Sequence, residues 1–254
     1  MAGRVSVDYR GQKAIITGGT RGLGRVIAER FAAAGARVAI CGRTTPGDLP
    51  KGISFHAVDI RDADAAAGFV ETVALELGGL DALINNAGGS PSADAATASP
   101  RFSEAIVRLN LLAPMALSTA AHRHLAATGG CIVNIASVSG TRPSPGTAAY
   151  GAAKAGLLSL TQSLAQEWGS DGIRVNAIVA GLMATETAEQ TYGGDTEQAR
   201  IAASVPLGRM GLGADIAEAA LWLCSDAARW VSGARINVDG GGERPLFLEL
   251  LKGT

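Results

Sequence analysis

Seven short, almost unbroken apolar runs separated by longer segments of helical spacing constrain this chain more than any other feature. The runs are Lys13–Thr17, Arg37–Cys41, Ile53–Val58, Asp81–Asn85, Cys131–Ile135, Arg174–Val179 and Arg235–Val238. Continuous apolar character over so few residues marks strands covered on both faces. Between them, Gly22–Ala34, Ala63–Leu77, Phe102–Ala127, Ala148–Trp168 and Ala214–Ser225 carry helical periodicity, and Gly35, Gly78, Gly129 and Gly169 fall where helices stop. Strand–helix alternation of this kind predicts an α/β fold: a doubly wound parallel sheet of about seven strands in one Rossmann-type domain over residues 1–254, with right-handed crossovers and helices on both faces. With 254 residues and 47% hydrophobic content, the chain can bury the core of one large domain.

The first strand runs directly into Thr17-Gly18-Gly19-Thr20-Arg21-Gly22-Leu23-Gly24 and then a helix. Glycines there permit a tight turn and let backbone N–H groups approach a pyrophosphate at the helix N-terminus, where the dipole favours anions. A glycine-rich turn alone is weak evidence; one that follows a strand and opens the helix of a βαβ unit is the dinucleotide-binding context. Gly18, Thr20, Arg21, Gly22, Leu23 and Gly24 are therefore candidate cofactor-binding residues. An NAD site places a carboxylate about 20 residues further on to bond the ribose 2′-OH. Here that count reaches Gly42, followed by Arg43, so Arg21 and Arg43 can converge on a 2′-phosphate with no acid to repel it. The expected cofactor is NADP(H), against the alternatives that both arginines are solvated surface groups or that the site prefers NAD.

Tyr150 and Lys154 lie four residues apart, with Ser137 thirteen residues upstream of the tyrosine. In a helix, positions i and i+4 share a face, so an ammonium can lie beside a phenol. A nearby cation stabilises the phenolate and is expected to pull the tyrosine pKa down from its ordinary value near ~10 toward the range useful for general acid–base catalysis. A Ser137 hydroxyl can then hold the oxygen that Tyr150 protonates or deprotonates, giving a site for interconverting C=O and CH–OH. Such pairs also arise by chance on helix surfaces, and the surrounding motifs decide between the two readings.

With these residues assembled, the chain resembles the short-chain dehydrogenase/reductase family, in particular its 3-oxoacyl-carrier-protein-reductase-like members. The resemblance runs from the Gly-rich turn to Val238-Asp239-Gly240-Gly241, through Asp59-Ile60, Asn85-Asn86-Ala87-Gly88, Asn110, Ser137, Tyr150 and Lys154 in order. It implies that Asp59, by its side chain, and Ile60, by its backbone, flank the adenine, and that Asn86, Ala87 and Gly88 support the central strand beside the cofactor ribose. It implies also that Asn110 holds a water in a proton relay to Lys154. Ser137 would orient the substrate oxygen, Tyr150 transfer the proton, and Lys154 lower its pKa and bind the nicotinamide ribose. Spacing and family pattern select Ser137 over Ser139. The chain departs from the family at Ala180-Gly181, where Pro-Gly is usual, which predicts a freer loop; Gly181, the Met183 backbone and the Thr185 hydroxyl remain candidate cofactor contacts.

The expected activity is thus that of an NADP(H)-dependent oxidoreductase on a ketone or secondary alcohol of modest size. A non-catalytic NADP-binding sensor or scaffold is the rival, disfavoured because a pure binder needs no proton relay. Leu182–Pro206, polar and containing Gly193-Gly194-Asp195, is expected to form a mobile substrate flap. The tail Arg244–Thr254 holds five large apolar residues and is expected to pack on its own domain or on a neighbouring subunit. The family implies a homotetramer, or a homodimer through the helices around Phe102–Ala127 and Ala148–Trp168. Net charge of −1 without runs of like charge argues against nucleic acid or an anionic membrane as partner. No apolar leader or long apolar span is seen, so a cytoplasmic protein is expected. Cys41, Cys131 and Cys224 read as buried free thiols, and His56, His122 and His124 form no metal-ligand pattern.

Overall fold

A computed structural model describes residues 8–244; the apolar tail beyond Arg244 lies outside the described residues. Seven strands form one sheet: β1 (Lys13–Thr17), β2 (Arg37–Gly42), β3 (Ile53–Ala57), β4 (Ala82–Asn85), β5 (Cys131–Ser137), β6 (Arg174–Ala180) and β7 (Arg235–Val238). All pairings are parallel and the order is β3-β2-β1-β4-β5-β6-β7. The helices are α1 (Gly22–Ala33), α2 (Ala63–Leu77), α3 (Pro100–Val107), α4 (Ala113–Ala126), α5 (Ala148–Glu167), α6 (Ala188–Tyr192), α7 (Asp195–Ser204) and α8 (Gly213–Cys224). Among the described residues, no helix is long and apolar enough to cross a membrane.

Alternate side chains of each central strand point to opposite faces, and both faces are covered. Ile16, Ile84, Val133 and Ile178 pack with Ile27 and Phe31 of α1 and with Ile216 and Leu221 of α8. Their neighbours Ile15, Leu83, Ile132 and Val175 pack with Phe69 and Val73 of α2 and Leu117 and Leu125 of α4. Leu158 of α5 closes the same side over Ala136, Ala177 and Val179. The seven expected strands are therefore present, with β5 reaching two residues further than expected, to Ser137, and β6 one further, to Ala180. Ala180 pairs with Ser137 and with Val238, so the position that is proline in relatives here simply continues the strand.

One expectation needs correction. The single long helix Phe102–Ala127 is three pieces: α3, capped by the Ser99 hydroxyl on the Phe102 amide, then a π-turn over Arg108–Leu112, then α4. One extra residue per turn at that point has no signature in apolar spacing. Leu182–Pro206, to which the sequence assigned no element, contains α6 and α7, separated at Gly193, whose φ is +89°. Their polar composition hides the helical pattern. Backbone bonds from Ala184 N to Gly211 O and from Gly211 N to Leu182 O fix the root of this segment.

Leu83 is fully buried, and Asp62 accepts the Asp64 and Ala65 amides at 3.0 Å to cap α2. In urea denaturation, Leu83→Ala is expected to cost about 2–5 kcal/mol and Asp62→Ala about 1 kcal/mol.

Candidate active site at the carboxyl edge of the sheet

Strand order reverses between β1 and β4, and the crevice at such a switch point is where parallel sheets receive ligands. The two strand ends are tied together there. Thr17 Oγ1 accepts the Asn86 and Ala87 amides at 3.0 and 2.9 Å, and Asn86 Nδ2 donates to the Thr17 carbonyl at 2.9 Å. A cleft of about 840 Å³ opens over this junction, a size suited to a cofactor with substrate.

Nearly all of the sequence-selected residues meet in this cleft. Its floor is the Gly-rich turn: Gly18, Thr20, Arg21, Gly22, Leu23 and Gly24. Gly22 has φ +54°, the left-handed region, and nothing lies within 4 Å of where its Cβ would be, so it adds no side chain to the first turn of α1; its amide donates to Glu186 Oε1 at 2.9 Å. Gly24 serves close packing instead: a Cβ there would overlap Asn86 Nδ2 and the Gly18 carbonyl. Asn86, Ala87 and Gly88 line the middle, and Gly181, Met183 and Thr185 the opposite wall. A glycine-rich helix N-terminus and room for an extended ligand fit a dinucleotide.

At the far end lie Arg43, Asp59 and Ile60, joined by a residue that the sequence reading missed, Arg61. Asp59 accepts the Arg61 amide at 3.1 Å and its Nε at 2.8 Å. Hydrogen bonds from Arg61 hold the Asp59 carboxyl below the usual carboxylate range, with a smaller contribution from Arg43. The side chain expected to face adenine is thus already engaged by its neighbour. Arg21 and Arg43 have no ion-pair partner among the described residues. Arg61 directly follows the Asp59-Ile60 motif, and that adjacency was the available signal.

At the other end, Ser137, Tyr150 and Lys154 line the cleft together with Tyr192 of α6. β5 delivers Ser137 from its last position, and its Oγ accepts the Ser139 amide at 3.2 Å. Lys154, 3% exposed, donates from Nζ to the Ile135 carbonyl at 2.8 Å and lies 5.6 Å from the centre of the Tyr150 ring. Burial lowers its pKa to about 8. The expectation of an acidified phenol is not met by these residues alone. Burial raises the Tyr150 pKa, outweighing the opposing pull of the Ser137 hydroxyl, with a further rise from Tyr192. The ammonium is bonded to a carbonyl and does not dominate the phenol's surroundings.

Asn110 stands in the π-turn behind the cleft, fully buried. Its Oδ1 accepts the Gly89 amide at 2.9 Å, and its Nδ2 donates to the Gly89 and Ile106 carbonyls at 3.0 and 2.9 Å. It fixes the loop after β4. A Cβ on Gly88 would lie 2.6 Å from Asn110 Oδ1 and 3.1 Å from Lys154 Nζ, so both polar groups crowd one glycine.

An open parallel sheet with a glycine-rich turn at its switch point and a Ser–Tyr–Lys group beside it has the form of a nicotinamide-dependent oxidoreductase of the Rossmann class. Comparison with known proteins agrees. The family model described as enoyl-(acyl carrier protein) reductase matches residues 18–243. The 3-oxoacyl-[acyl-carrier-protein] reductase FabG of Chlamydia trachomatis is 35% identical over 239 residues, covering 90% of this chain and 96% of the relative. Among solved structures, a protein assigned as a short-chain alcohol dehydrogenase of Sinorhizobium meliloti superposes with a TM-score of 0.86 at 36% identity, covering 93% of this chain and 98% of that one. Another, assigned as a 2-deoxy-D-gluconate 3-dehydrogenase of Agrobacterium tumefaciens and holding bound NADP, gives 0.84 at 36% identity, covering 94% and 98%. The chain belongs to the short-chain dehydrogenase/reductase family, as a member similar to FabG.

The depressed Lys154 pKa sets a pH dependence. Its ordinary value is 10.5 and its folded value about 8, so between these the unfolded chain binds more protons and stability rises with pH. The stability difference between the native protein and Lys154→Met is expected to shift in favour of the native protein by up to about 3 kcal/mol from pH 8 to pH 10.5, measured by denaturant titration.

Proposed function

We propose that this oxidoreductase is NADP(H)-dependent and interconverts a ketone and a secondary alcohol of modest size, with Tyr150 as the proton-transferring residue. The observation that carries the reading is the convergence of the Ser137 and Tyr150 hydroxyls and the buried Lys154 ammonium on one end of the cleft that begins at the Gly-rich turn. The nicotinamide, when bound, supplies or takes the hydride.

The chain's own part is binding, orientation and proton handling. The amides at the start of α1 would receive the pyrophosphate. Arg21 and Arg43, with Arg61 beside them, give the adenosine end a positive field suited to a 2′-phosphate. The Ser137 hydroxyl, oriented by the Ser139 amide, would donate to the substrate oxygen. Tyr150, its pKa raised by burial, stays protonated at neutral pH and is ready to donate in the reductive direction. The adjacent Lys154, with a pKa of about 8, would stabilise the phenolate left behind and take part in its reprotonation. Asn110 positions the loop that carries Gly88 and Gly89. The segment 182–206 carries Met183, Thr185 and Tyr192 over the cleft and would act as the flap.

We place the protein in the cytoplasm as a homotetramer or homodimer. Leu112 and Met115, 44% and 41% exposed around the start of α4, support burial of that face against a second copy.

Tyr150→Phe is expected to lower kcat on ketones at least about 100-fold while leaving NADPH affinity within about twofold of the native value. Full turnover in a ketone panel followed by NADPH absorbance would reject the assigned role and favour a cofactor-sensing protein. Arg43→Asp is expected to weaken NADPH binding at least about tenfold more than NADH binding; equal losses in a fluorescence titration would remove the argument for NADP(H).

A further inference from the structure

One carboxylate in the cleft has no part in the scheme above. Glu186 Oε1 accepts the backbone amide of Gly22 at 2.9 Å. Gly22 opens the 12-residue helix α1, its left-handed conformation turns its bare side to open space, and both residues line the cleft. The amide that Glu186 occupies is therefore one of those that the dinucleotide reading assigns to the pyrophosphate. An exposed side chain from a segment more than 160 positions along the chain reaches it.

We propose that Glu186 is a built-in competitor for the cofactor pyrophosphate: a latch that holds the 182–206 segment on α1 and is displaced when the dinucleotide binds. The inference rests on the reading of the cleft as a dinucleotide site. Two physical arguments carry it. A carboxylate at a helix N-terminus is stabilised by the unpaired amides and the helix dipole, so the latch is favourable in the free protein. A phosphate seeking the same amides cannot share them with a second negative charge at hydrogen-bond distance, so it binds only at the expense of that contact. The latch also connects the two ends of the site. Glu186 is followed within six residues by Tyr192, which lines the cleft with Tyr150. Releasing Glu186 frees α6 to settle against an occupied cleft, so that cofactor arrival and completion of the substrate wall are one event.

Glu186→Gln keeps an acceptor oxygen and removes the charge; Glu186→Ala removes both. For Glu186→Gln, affinities for NADP⁺ and for NAD⁺ by calorimetry are both expected to tighten about threefold or more. Adenosine 2′-monophosphate, which has no pyrophosphate, is expected to bind as it does to the native protein. In the cofactor-free protein, hydrogen exchange at the Gly22 amide is expected to accelerate in Glu186→Ala. Unchanged or weaker dinucleotide binding in Glu186→Gln, an equal gain for adenosine 2′-monophosphate, or unaltered Gly22 exchange would each overturn the latch. A failure of the NADP(H) preference is separate: it appears as NAD⁺ binding as tightly as NADP⁺ to the native protein, with the latch effect present on both. If neither dinucleotide binds either protein, the cleft reading falls and the latch falls with it.

Discussion

The tie between the ends of β1 and β4 is the constraint on which the site depends. A doubly wound sheet opens where its strand order reverses, and the crevice there is useful only if its two lips keep their spacing. Thr17 supplies that through one hydroxyl, which accepts the amides of Asn86 and Ala87 while Asn86 returns a bond to the Thr17 carbonyl. Both residues are at strand ends, where backbone groups have no ladder partners and need others. Gly24 then lets α1 pack directly on this junction, because any side chain would strike Asn86 and Gly18. The anion-binding helix start and the central strands are thereby one unit.

A second buried interaction carries the fixed geometry across to the chemistry. Lys154 brings an ammonium from α5 onto the Ile135 carbonyl of β5, two residues before Ser137. Burial of a cation is costly, and its lowered pKa records that cost. The bond to a main-chain oxygen offsets part of it and sets the spacing between the helix that carries Tyr150 and the strand that carries Ser137. Asn110 closes the third side from the π-turn, spending every polar atom on the backbone around Gly89 and Ile106. Three elements are locked by side chain to backbone bonds, which are less sensitive to neighbouring substitutions than side chain pairs.

The sequence made the strands legible because each is covered on both faces and so reads as an apolar run, and it made the site legible because strand ends were marked by the residues that matter. The Gly-rich turn, Asn86, Ser137, Tyr150 and Lys154 all meet in one cleft. What escaped was set by tertiary context. The π-turn adds one residue to an otherwise regular helix and leaves the apolar spacing nearly intact. Helix α6 is five residues long and α7 carries one large apolar residue, Ile201, so periodicity gives little signal in either. The expected acidification of Tyr150 failed because a spacing of four says that an ammonium is near but not what else it bonds, nor how deeply the phenol is buried. Glu186 and Tyr192 lie in no motif, and only the folded chain brings them to the cleft, whereas Arg61 was marked in the sequence only by following Asp59-Ile60.

The charges distribute unevenly along that cleft, and the unevenness suits a ligand that must both bind and leave. The end of the cleft at Asp59 carries Arg43 and Arg61, with Arg21 on the Gly-rich floor, against a single carboxylate, Asp59, already engaged by Arg61. The middle offers backbone amides, one of them covered by Glu186. The reacting end holds one buried cation and neutral hydroxyls. Under the proposed function, attraction at one end and competition at the centre would moderate the affinity for a cofactor that is exchanged every turnover, since tight ground-state binding does not by itself speed the chemistry. Ser137, Tyr150 and Lys154 hang from a strand and a helix joined by a buried bond, whereas Glu186 reaches Gly22 through an exposed one from a segment whose root is fixed by backbone bonds. On the proposed function, rigidity would thus fall where geometry decides the rate, and the weaker bond where exchange does.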